Sequence, residues 1–237
     1  MNKIYEMLNA LKKKLKKSSE NNQLFVIYIV LVFSLSWIVI FLMFMEDTLE
    51  LGRGIIDTQV ITYVLSVRNS QMNTFFKMVT KLGNVIPMIV LTLVICLILF
   101  YYKKKKESLF YGINILGVWF VNEILKQIFR RQRPQGIQLL SVVDFSFPSG
   151  HAMVTMASII LLIYFVIKFI KNKEIAYLLS VLLFIYALLI GISRIYLGVH
   201  YFSDVIVGWI IAGVWAFINI QIYIHILSIS NFEMKER

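Results

Sequence analysis

The stretch ALLIGISRIYLGVHYFSDVIVGWIIAG, residues 187–213, places an arginine, a histidine and an aspartate between two strongly apolar segments. Apolar segments of this kind are typical of membrane-spanning helices, which need about 20 residues to cross a bilayer. Charged groups at membrane depth are costly, so they usually mark a functional site. Arg194, His200 and Asp204 are therefore candidate site residues, and the flanking segments indicate a helical membrane protein.

The composition of the whole chain favours the same class of protein. Hydrophobic residues make up 59% of the 237 residues and charged residues only 16%, whereas soluble domains are roughly 45–50% apolar. A single cysteine, Cys96, excludes an intramolecular disulfide and a thiolate metal cluster. The formal net charge of +11 is explained by membrane topology and anionic lipid headgroups, so no nucleic-acid partner is expected.

Six apolar stretches are long enough to span a bilayer. They lie near residues 24–45, 86–102, 108–128, 152–171, 175–193 and 205–229. The predicted fold is an all-α, polytopic bundle of six transmembrane helices. The predicted organisation is a basic cytoplasmic leader (1–22), one six-span domain (23–230) and a cytoplasmic tail (231–237).

The connection 46–85 mixes apolar and polar residues, which predicts interfacial helices between spans one and two. Two roles stay open for it: a cap over the bundle, or a platform that steers lipid into a site.

The distribution of basic residues predicts the orientation in the membrane. They cluster in the leader, in the connections after spans two and four, and in the tail: Lys3, Lys12, Lys13, Lys14, Lys16, Lys17, Lys103 to Lys106, Lys168, Lys171, Lys173, Lys235 and Arg237. The positive-inside rule places these segments in the cytoplasm. We therefore expect a multi-pass protein of the plasma membrane, with both termini cytoplasmic and the connections 46–85, 129–151 and 193–204 on the extracytoplasmic side.

A first polar motif, KQIFRRQRP at 126–134, carries two cations at helical spacing. Lys126 and Arg133 are seven residues apart, which is two helical turns and about 10 Å of rise, so their long side chains can converge on one anion. Pro134 disfavours helical geometry at the residue before it, which predicts a helix end near Arg133. The alternative interpretation is that both side chains snorkel to lipid headgroups.

A second motif, SFPSGHA at 146–152, is typical of a helix start. Pro148 suits the first helical turn, and Ser149 or Ser146 suits the N-cap. The first N–H groups of the helix are unpaired, and Gly150 allows an anion to approach them closely. The motif thus predicts a phosphate-binding helix N-terminus with His151 beside it.

The third motif is the polar part of residues 193–204. His200 and Asp204 are four residues apart and can touch if the last span begins near His200. A carboxylate that holds one imidazole nitrogen leaves the other nitrogen as a nucleophile. Arg194 adds a guanidinium fork that suits phosphate, with snorkelling as its alternative.

Three further residues are candidates for supporting roles. Glu123 and, more weakly, Asn122 are placed to support Lys126 from the same helix. Asp144 precedes the predicted phosphate site and is a candidate tether for Arg130 or Arg131.

The order K-x6-R-P, P-S-G-H and S-R-x5-H-x3-D resembles the signature of the type-2 phosphatidic acid phosphatase family, in particular its bacterial membrane lipid phosphatases. The matching positions are Lys126, Arg133, Pro134, Pro148, Ser149, Gly150, His151, Ser193, Arg194, His200 and Asp204. The resemblance covers roughly residues 50 to 225 and leaves out the basic leader.

The resemblance implies a role for each matching residue. His200 would attack phosphorus and form a phosphohistidine, Asp204 would orient it, and His151 would protonate the leaving oxygen. The residues that would hold the phosphate oxygens are Lys126, Arg133, Ser149, Gly150 and Arg194. Water would then cleave the phosphohistidine, and no metal or other cofactor is expected.

The predicted function is therefore hydrolysis of the phosphomonoester or diphosphate of a membrane lipid at the outer leaflet. Undecaprenyl pyrophosphate and phosphatidylglycerophosphate are the expected substrates, and the bilayer is the expected partner. A lipid phosphotransferase and a non-enzymatic lipid transporter are the alternatives. The motifs specify neither the lipid nor the oligomeric state.

Overall fold

The structure, a computed structural model, describes residues 54–236, with side chains up to residue 225. This part of the chain contains seven α-helices and no β-strand: α1 (Ile55–Val67), α2 (Ser70–Lys81), α3 (Val85–Tyr101), α4 (Lys105–Phe129), α5 (Gly150–Phe169), α6 (Lys173–Tyr196) and α7 (Phe202–Glu236). The all-α prediction is thereby confirmed for the described residues. The leader and the predicted span 24–45 lie outside them, and the predicted domain boundaries stay predictions.

Four of these helices are long and apolar enough to cross a membrane: α4, α5, α6 and the Phe202–His225 part of α7. The 17-residue α3 meets the same criterion only together with α2, from which it is bent by 49°. The chain is thus a multi-pass membrane protein. Its described part contains four spans, or five if α2 and α3 form one broken span, and six spans remain a prediction.

The connection 46–85 contains the helices α1 and α2. Both pack against α6. Their placement at the membrane interface stays a prediction.

The helices pack in sequence order around α5. Helix α3 packs on α4, α4 on α5 and α5 on α6. Met153, Met156 and Ile159 of α5 lie at the centre of the apolar core, beside Val118 of α4 and Ala187 of α6. Small residues such as Ala187 let the helices approach closely. The packing fixes the positions of the helix ends that carry the polar motifs.

Helix α4 ends earlier than its sequence predicts. Its last residue is Phe129, and Arg130 adopts a left-handed conformation with φ 45°, where its N–H donates to the Lys126 carbonyl at 3.0 Å. The prediction of a helix end near Arg133 was therefore wrong. Arg131 and Arg133 leave the helix because their guanidinium groups are held by buried acceptors farther along the chain.

Helix α5 begins at Gly150, with Ser149 as its N-cap. The Ser149 hydroxyl accepts from the Ala152 N–H at 3.5 Å. Pro148 precedes the cap, so the prediction that it lies in the first helical turn was wrong, whereas the Ser149 cap is confirmed.

The connection between α6 and α7 is held by contacts from α1 and α2. Gly198 turns it with a left-handed φ of 70°, a conformation that glycine adopts without steric cost. Arg68, after α1, donates to the carbonyls of Tyr196 and Ile137 at 2.7 Å each. Phe76 of α2 packs on Tyr196 with ring centroids 4.3 Å apart. These contacts fix the backbone that leads to His200.

Candidate active site

The three polar motifs meet at one end of the helix bundle. Helices α4 and α6 end there, and α5 and α7 begin there. Six of the eight predicted site residues are buried, namely Lys126, Arg133, Ser149, Arg194, His200 and Asp204, while Gly150 and His151 are partly buried. Burial of the three cations argues against the interpretation that they snorkel to headgroups.

His200 and Asp204 face each other although His200 lies outside a helix. Helix α7 begins at Phe202, three residues before the predicted span and two residues after His200. The His200 Nδ1 atom nevertheless lies 3.5 Å from Asp204 Oδ2. This distance is longer than an ordinary hydrogen bond and within the range of an ion pair.

The other imidazole nitrogen faces a cation. Arg133 Nη1 lies 3.0 Å from His200 Nε2 and also donates to the Val199 carbonyl at 2.5 Å. A guanidinium group can only donate hydrogen bonds, so Nε2 is the acceptor and the proton of the neutral imidazole is on Nδ1, facing Asp204. His200 thus has an unprotonated Nε2 next to the guanidinium group of Arg133, a cation of the kind that binds phosphate.

The surroundings of His200 keep it neutral. Burial lowers its pKa to about 4, and the charges of Arg133 and Arg194 act in the same direction. Asp204 opposes them without reversing the shift. The imidazole is therefore uncharged near neutral pH, which is the form that a nucleophile requires.

Lys126 and Arg133 converge, as predicted, but on a carboxylate of the same chain. Lys126 Nζ donates to Asp144 Oδ2, and Arg133 Nη2 donates to Asp144 Oδ1 at 2.6 Å. Burial alone would raise the pKa of Asp144, yet Lys126 and Arg133 lower it to about 2. The expectation that Asp144 tethers Arg130 or Arg131 was wrong. Arg130 instead donates to the Gln127 carbonyl at 3.1 Å.

Arg131 has its own pair of acidic partners. Its Nη1 donates to Asp204 Oδ1 at 2.6 Å, and its Nη2 donates to Asp57 Oδ2 at 2.8 Å. Burial acts to lower the pKa of Arg131, but the two carboxylates raise it. Neither Asp57 nor Arg131 was among the predicted site residues, although Arg131 lies within the first polar motif.

The residues around the start of α5 are tightly arranged. Ser149 N–H donates to the Asp204 carbonyl at 3.1 Å, so this donor is already paired. A Cβ atom at Gly150 would lie 2.9 Å from Asn122 Oδ1. The glycine therefore allows Asn122 to approach the loop, where the Asn122 amide donates to the Pro148 carbonyl at 3.3 Å. Asn122 thus supports the start of α5, whereas the prediction had it supporting Lys126.

His151 faces the break between α2 and α3. Its Nε2 lies 2.9 Å from Asn84 Oδ1. The positive charges of Arg194, Lys126 and Arg133 act on His151. His151 therefore lies in the same electrostatic cluster as the other predicted site residues.

Arg194 and Asp204 are each anchored by a hydroxyl group, from Thr80 outside the motifs and from Ser146, the first residue of the second motif. Arg194 Nη1 donates to Thr80 Oγ1 at 2.7 Å. Ser146 Oγ donates to Asp204 Oδ2 at 2.5 Å and lies 3.4 Å from His200 Nδ1. Glu123 approaches Lys126 at 4.0 Å, which is an ion pair without a hydrogen bond.

Fold and site together define a multi-pass helical membrane protein with a buried group of cations, two histidines and an aspartate at one end of its bundle. Residues 107–226, just over half of the chain, match the PAP2 superfamily. The chain belongs to this superfamily, and the resemblance found in its motifs is thereby confirmed.

Two curated proteins are similar to parts of the chain. Phosphatidylglycerophosphatase B of Bacillus subtilis (strain 168) is 38% identical over 93 residues, which is 38% of this chain and 44% of the relative. Undecaprenyl-diphosphatase of Sulfolobus acidocaldarius is 33% identical over 79 residues, which is 33% of this chain and 34% of the relative. The chain thus spans less than half the length of these curated relatives.

Two solved structures are similar over most of the chain. The crystal structure of a transmembrane PAP2 type phosphatidylglycerolphosphate phosphatase from Bacillus subtilis has a TM-score of 0.68 and 25% identity. The match covers 86% of this chain and 97% of that one. The crystal structure of Aquifex aeolicus LpxE has a TM-score of 0.57 and 25% identity, covering 69% and 94%.

Proposed function

We propose that this protein is an integral membrane lipid phosphatase that hydrolyses a lipid phosphomonoester or diphosphate through a phosphohistidine. The observation that carries the proposal is the pairing of His200 with Asp204 inside a cluster of buried cations. Phosphoryl transfer needs positioning and charge stabilisation above all. Lys126, Arg133 and Arg194 supply that charge, and His200 supplies the nucleophile.

The first half of the reaction transfers the phosphoryl group to the protein. His200 Nε2 attacks phosphorus, the bond from phosphorus to the lipid oxygen breaks, and His151 donates a proton to that oxygen. Arg133 now contacts Nε2, so a phosphoryl group at this place would also contact Arg133. Asp204 stabilises the positive charge that the imidazole gains.

The second half returns the enzyme to its starting state. Water attacks the phosphohistidine, His151 accepts a proton from that water, and the bond between Nε2 and phosphorus breaks to release inorganic phosphate. Ser149 and Gly150 contribute the start of α5, whose helix dipole favours an anion. The proposal includes no metal, because the three cations neutralise the phosphate oxygens.

The site is proposed to open at the outer leaflet. The lysine-rich connections between α3 and α4 and between α5 and α6 lie at the opposite ends of these helices from the site. Since cytoplasmic loops carry an excess of lysine and arginine, the end of the bundle with the site is extracytoplasmic. Both termini are then cytoplasmic.

Undecaprenyl pyrophosphate and phosphatidylglycerophosphate are the proposed substrates. The names of the curated relatives, phosphatidylglycerophosphatase B and undecaprenyl-diphosphatase, support this choice. An outward-facing site also suits a carrier lipid that is left as a diphosphate on the outer surface.

The decisive experiment measures phosphate release in detergent micelles. The purified full chain is given undecaprenyl pyrophosphate, phosphatidylglycerophosphate and phosphatidic acid, each with and without a metal chelator. We expect release from at least one lipid that the chelator does not abolish. Loss of release with chelator would contradict the metal-free mechanism.

A substitution at the nucleophile tests the mechanism in the same assay. His200→Ala should abolish release and leave the protein folded, as judged by size-exclusion chromatography. The matched control is His225→Ala, a histidine farther along α7 that is outside the motifs, and it should remain active. Turnover by His200→Ala would refute the nucleophile assignment. Failure of every lipid in micelles would instead favour a transporter, and release only with an added alcohol acceptor would favour a phosphotransferase.

A further inference from the structure

A buried chain of charges connects α1 to the proposed nucleophile. Asp57 of α1, Arg131, Asp204 and His200 are linked in that order, with contacts of 2.8, 2.6 and 3.5 Å. Each of the four side chains is at most 5% exposed. Asp57 lies upstream of the segment that matches the superfamily.

The geometry around Arg131 leaves it little freedom. Its guanidinium carbon lies 4.1 Å from the centroid of the Tyr201 ring, and Nη1 also donates to Ser203 Oγ at 2.7 Å. A planar guanidinium held on both edges and stacked on an aromatic ring has a fixed orientation. Arg131 therefore fixes the position of the Asp204 carboxylate.

The net charge of Asp57, Arg131 and Asp204 sets the electrostatic field at His200. Arg131 carries one positive charge and is shared between two carboxylates. With Asp57 present, the group has a net negative charge, which stabilises a positive imidazole. Without Asp57, Arg131 and Asp204 would neutralise each other and the net negative charge would be lost. In a buried site, solvent screens such a change in charge only weakly.

We propose that Asp57 and Arg131 are positioning residues for the His200–Asp204 pair, and that α1 thereby belongs to the catalytic unit. This inference rests on the proposed function. Asp57 acts through Arg131, and Arg131 acts through Asp204. Asp57 balances the charge of Arg131, so the negative charge of Asp204 remains available to stabilise the positive imidazole of the phosphohistidine.

A purely structural role makes a different prediction. Asp57 also accepts from Ser203 N–H at 2.9 Å and from Ser203 Oγ at 2.6 Å, so it also attaches α1 to the start of α7. If this were its whole role, its loss would reduce the amount of folded protein. The pH dependence of the remaining enzyme would not move.

Several other charged groups act on the same site and stay unchanged in the test. These groups come from the helices and connections around His200: Lys126 of α4, Arg133 and Asp144 of the connection 130–149, His151 of α5 and Arg194 of α6. Shifts between variants therefore report the two substituted residues.

The experiment compares the pH profiles of kcat/KM and kcat for Asp57→Asn, Arg131→Gln and the double variant. Asp57→Asn keeps an acceptor for Ser203, and we expect its acidic limb to move down by about one pH unit because His200 gains a proton less readily. Its kcat should fall about tenfold while KM changes little. Arg131→Gln should move the acidic limb upward, and the double variant should return close to the starting position.

Glu174→Gln is the matched control. Glu174 is an exposed acid in the first turn of α6, at the end of the bundle opposite the site. Glu174→Gln removes one negative charge, as Asp57→Asn does, and the pH profile of this variant should coincide with that of the unsubstituted protein.

The outcomes separate this inference from the proposed function. Unshifted profiles in both single variants, with only less folded protein, would overturn the positioning role. Failure of both single variants to fold would also overturn it, because the network would then serve stability. Retained turnover by His200→Ala would instead overturn the proposed function itself.

Discussion

Replacing Asp144 by asparagine should strengthen phosphate binding. The Asp144 carboxylate bridges Lys126 and Arg133, the two cations proposed to hold phosphate, and the Asp144 carbonyl accepts from Arg133 Nε at 2.8 Å. A phosphate that enters the site must displace this carboxylate. Asparagine keeps the shape and the backbone contact but removes the competing charge.

The size of the effect follows from the exposure of Asp144. Its side chain is 49% exposed, so each ion pair contributes about 0.2–1 kcal/mol. Both pairs together contribute about 1 kcal/mol, which corresponds to a roughly fivefold tighter complex with phosphate. Because the Asp144 pKa is lowered to about 2, its ion pairs stabilise the folded protein above about pH 4 and are lost as the pH falls towards 2. The fivefold difference should therefore hold across the working range of the enzyme.

Two measurements check this prediction. The inhibition constant of inorganic phosphate should fall about fivefold in Asp144→Asn, and phosphate should raise its melting temperature at lower concentration. Glu123→Gln is the matched control, because Glu123 lies 4.0 Å from the same lysine and forms no hydrogen bond with it. Weaker phosphate binding by Asp144→Asn would show that the carboxylate holds the cations in place and does not compete for them.

The pH profile of kcat/KM should be bell-shaped, because the mechanism needs a neutral His200 and a protonated His151. Its acidic limb should lie well below pH 6.5, because the His200 pKa is lowered to about 4. A monotonic profile would contradict this assignment. Gly198→Ala should lower the melting temperature by about 4–8 °C. Gly198 has a φ of 70°, and a Cβ there would lie 2.6 Å from a backbone carbonyl oxygen, so the substitution costs about 2 kcal/mol of stability. Gly213→Ala, whose Cβ would meet nothing within 4 Å among the described residues, should not lower it. Equal effects of the two substitutions would refute the strain argument. Thr80→Val should raise KM several-fold with kcat nearly unchanged, because Arg194 loses its 2.7 Å contact, and an unchanged KM would show that the anchor is unimportant.

The sequence alone was enough to predict the helices and the motif positions. Each of the five predicted spans within the described residues coincides with a helix to within a few residues at its start. A membrane helix pairs all its backbone groups within itself, so its signal is local. The residues Lys126, His151, Arg194, His200 and Asp204 were found because their types and spacings are chemically unusual in an apolar chain. Their catalytic and binding roles stay predictions.

Only the tertiary structure decided which charges pair. The sequence placed Asp144 beside Arg130 or Arg131, yet it lies against Lys126 and Arg133. It offered no signal for Asp57, which is 74 residues from Arg131 in the chain. Salt bridges between distant segments depend on how packed helices bring their ends together. Periodicity and motif spacing describe neighbours along one helix, so they cannot specify such contacts.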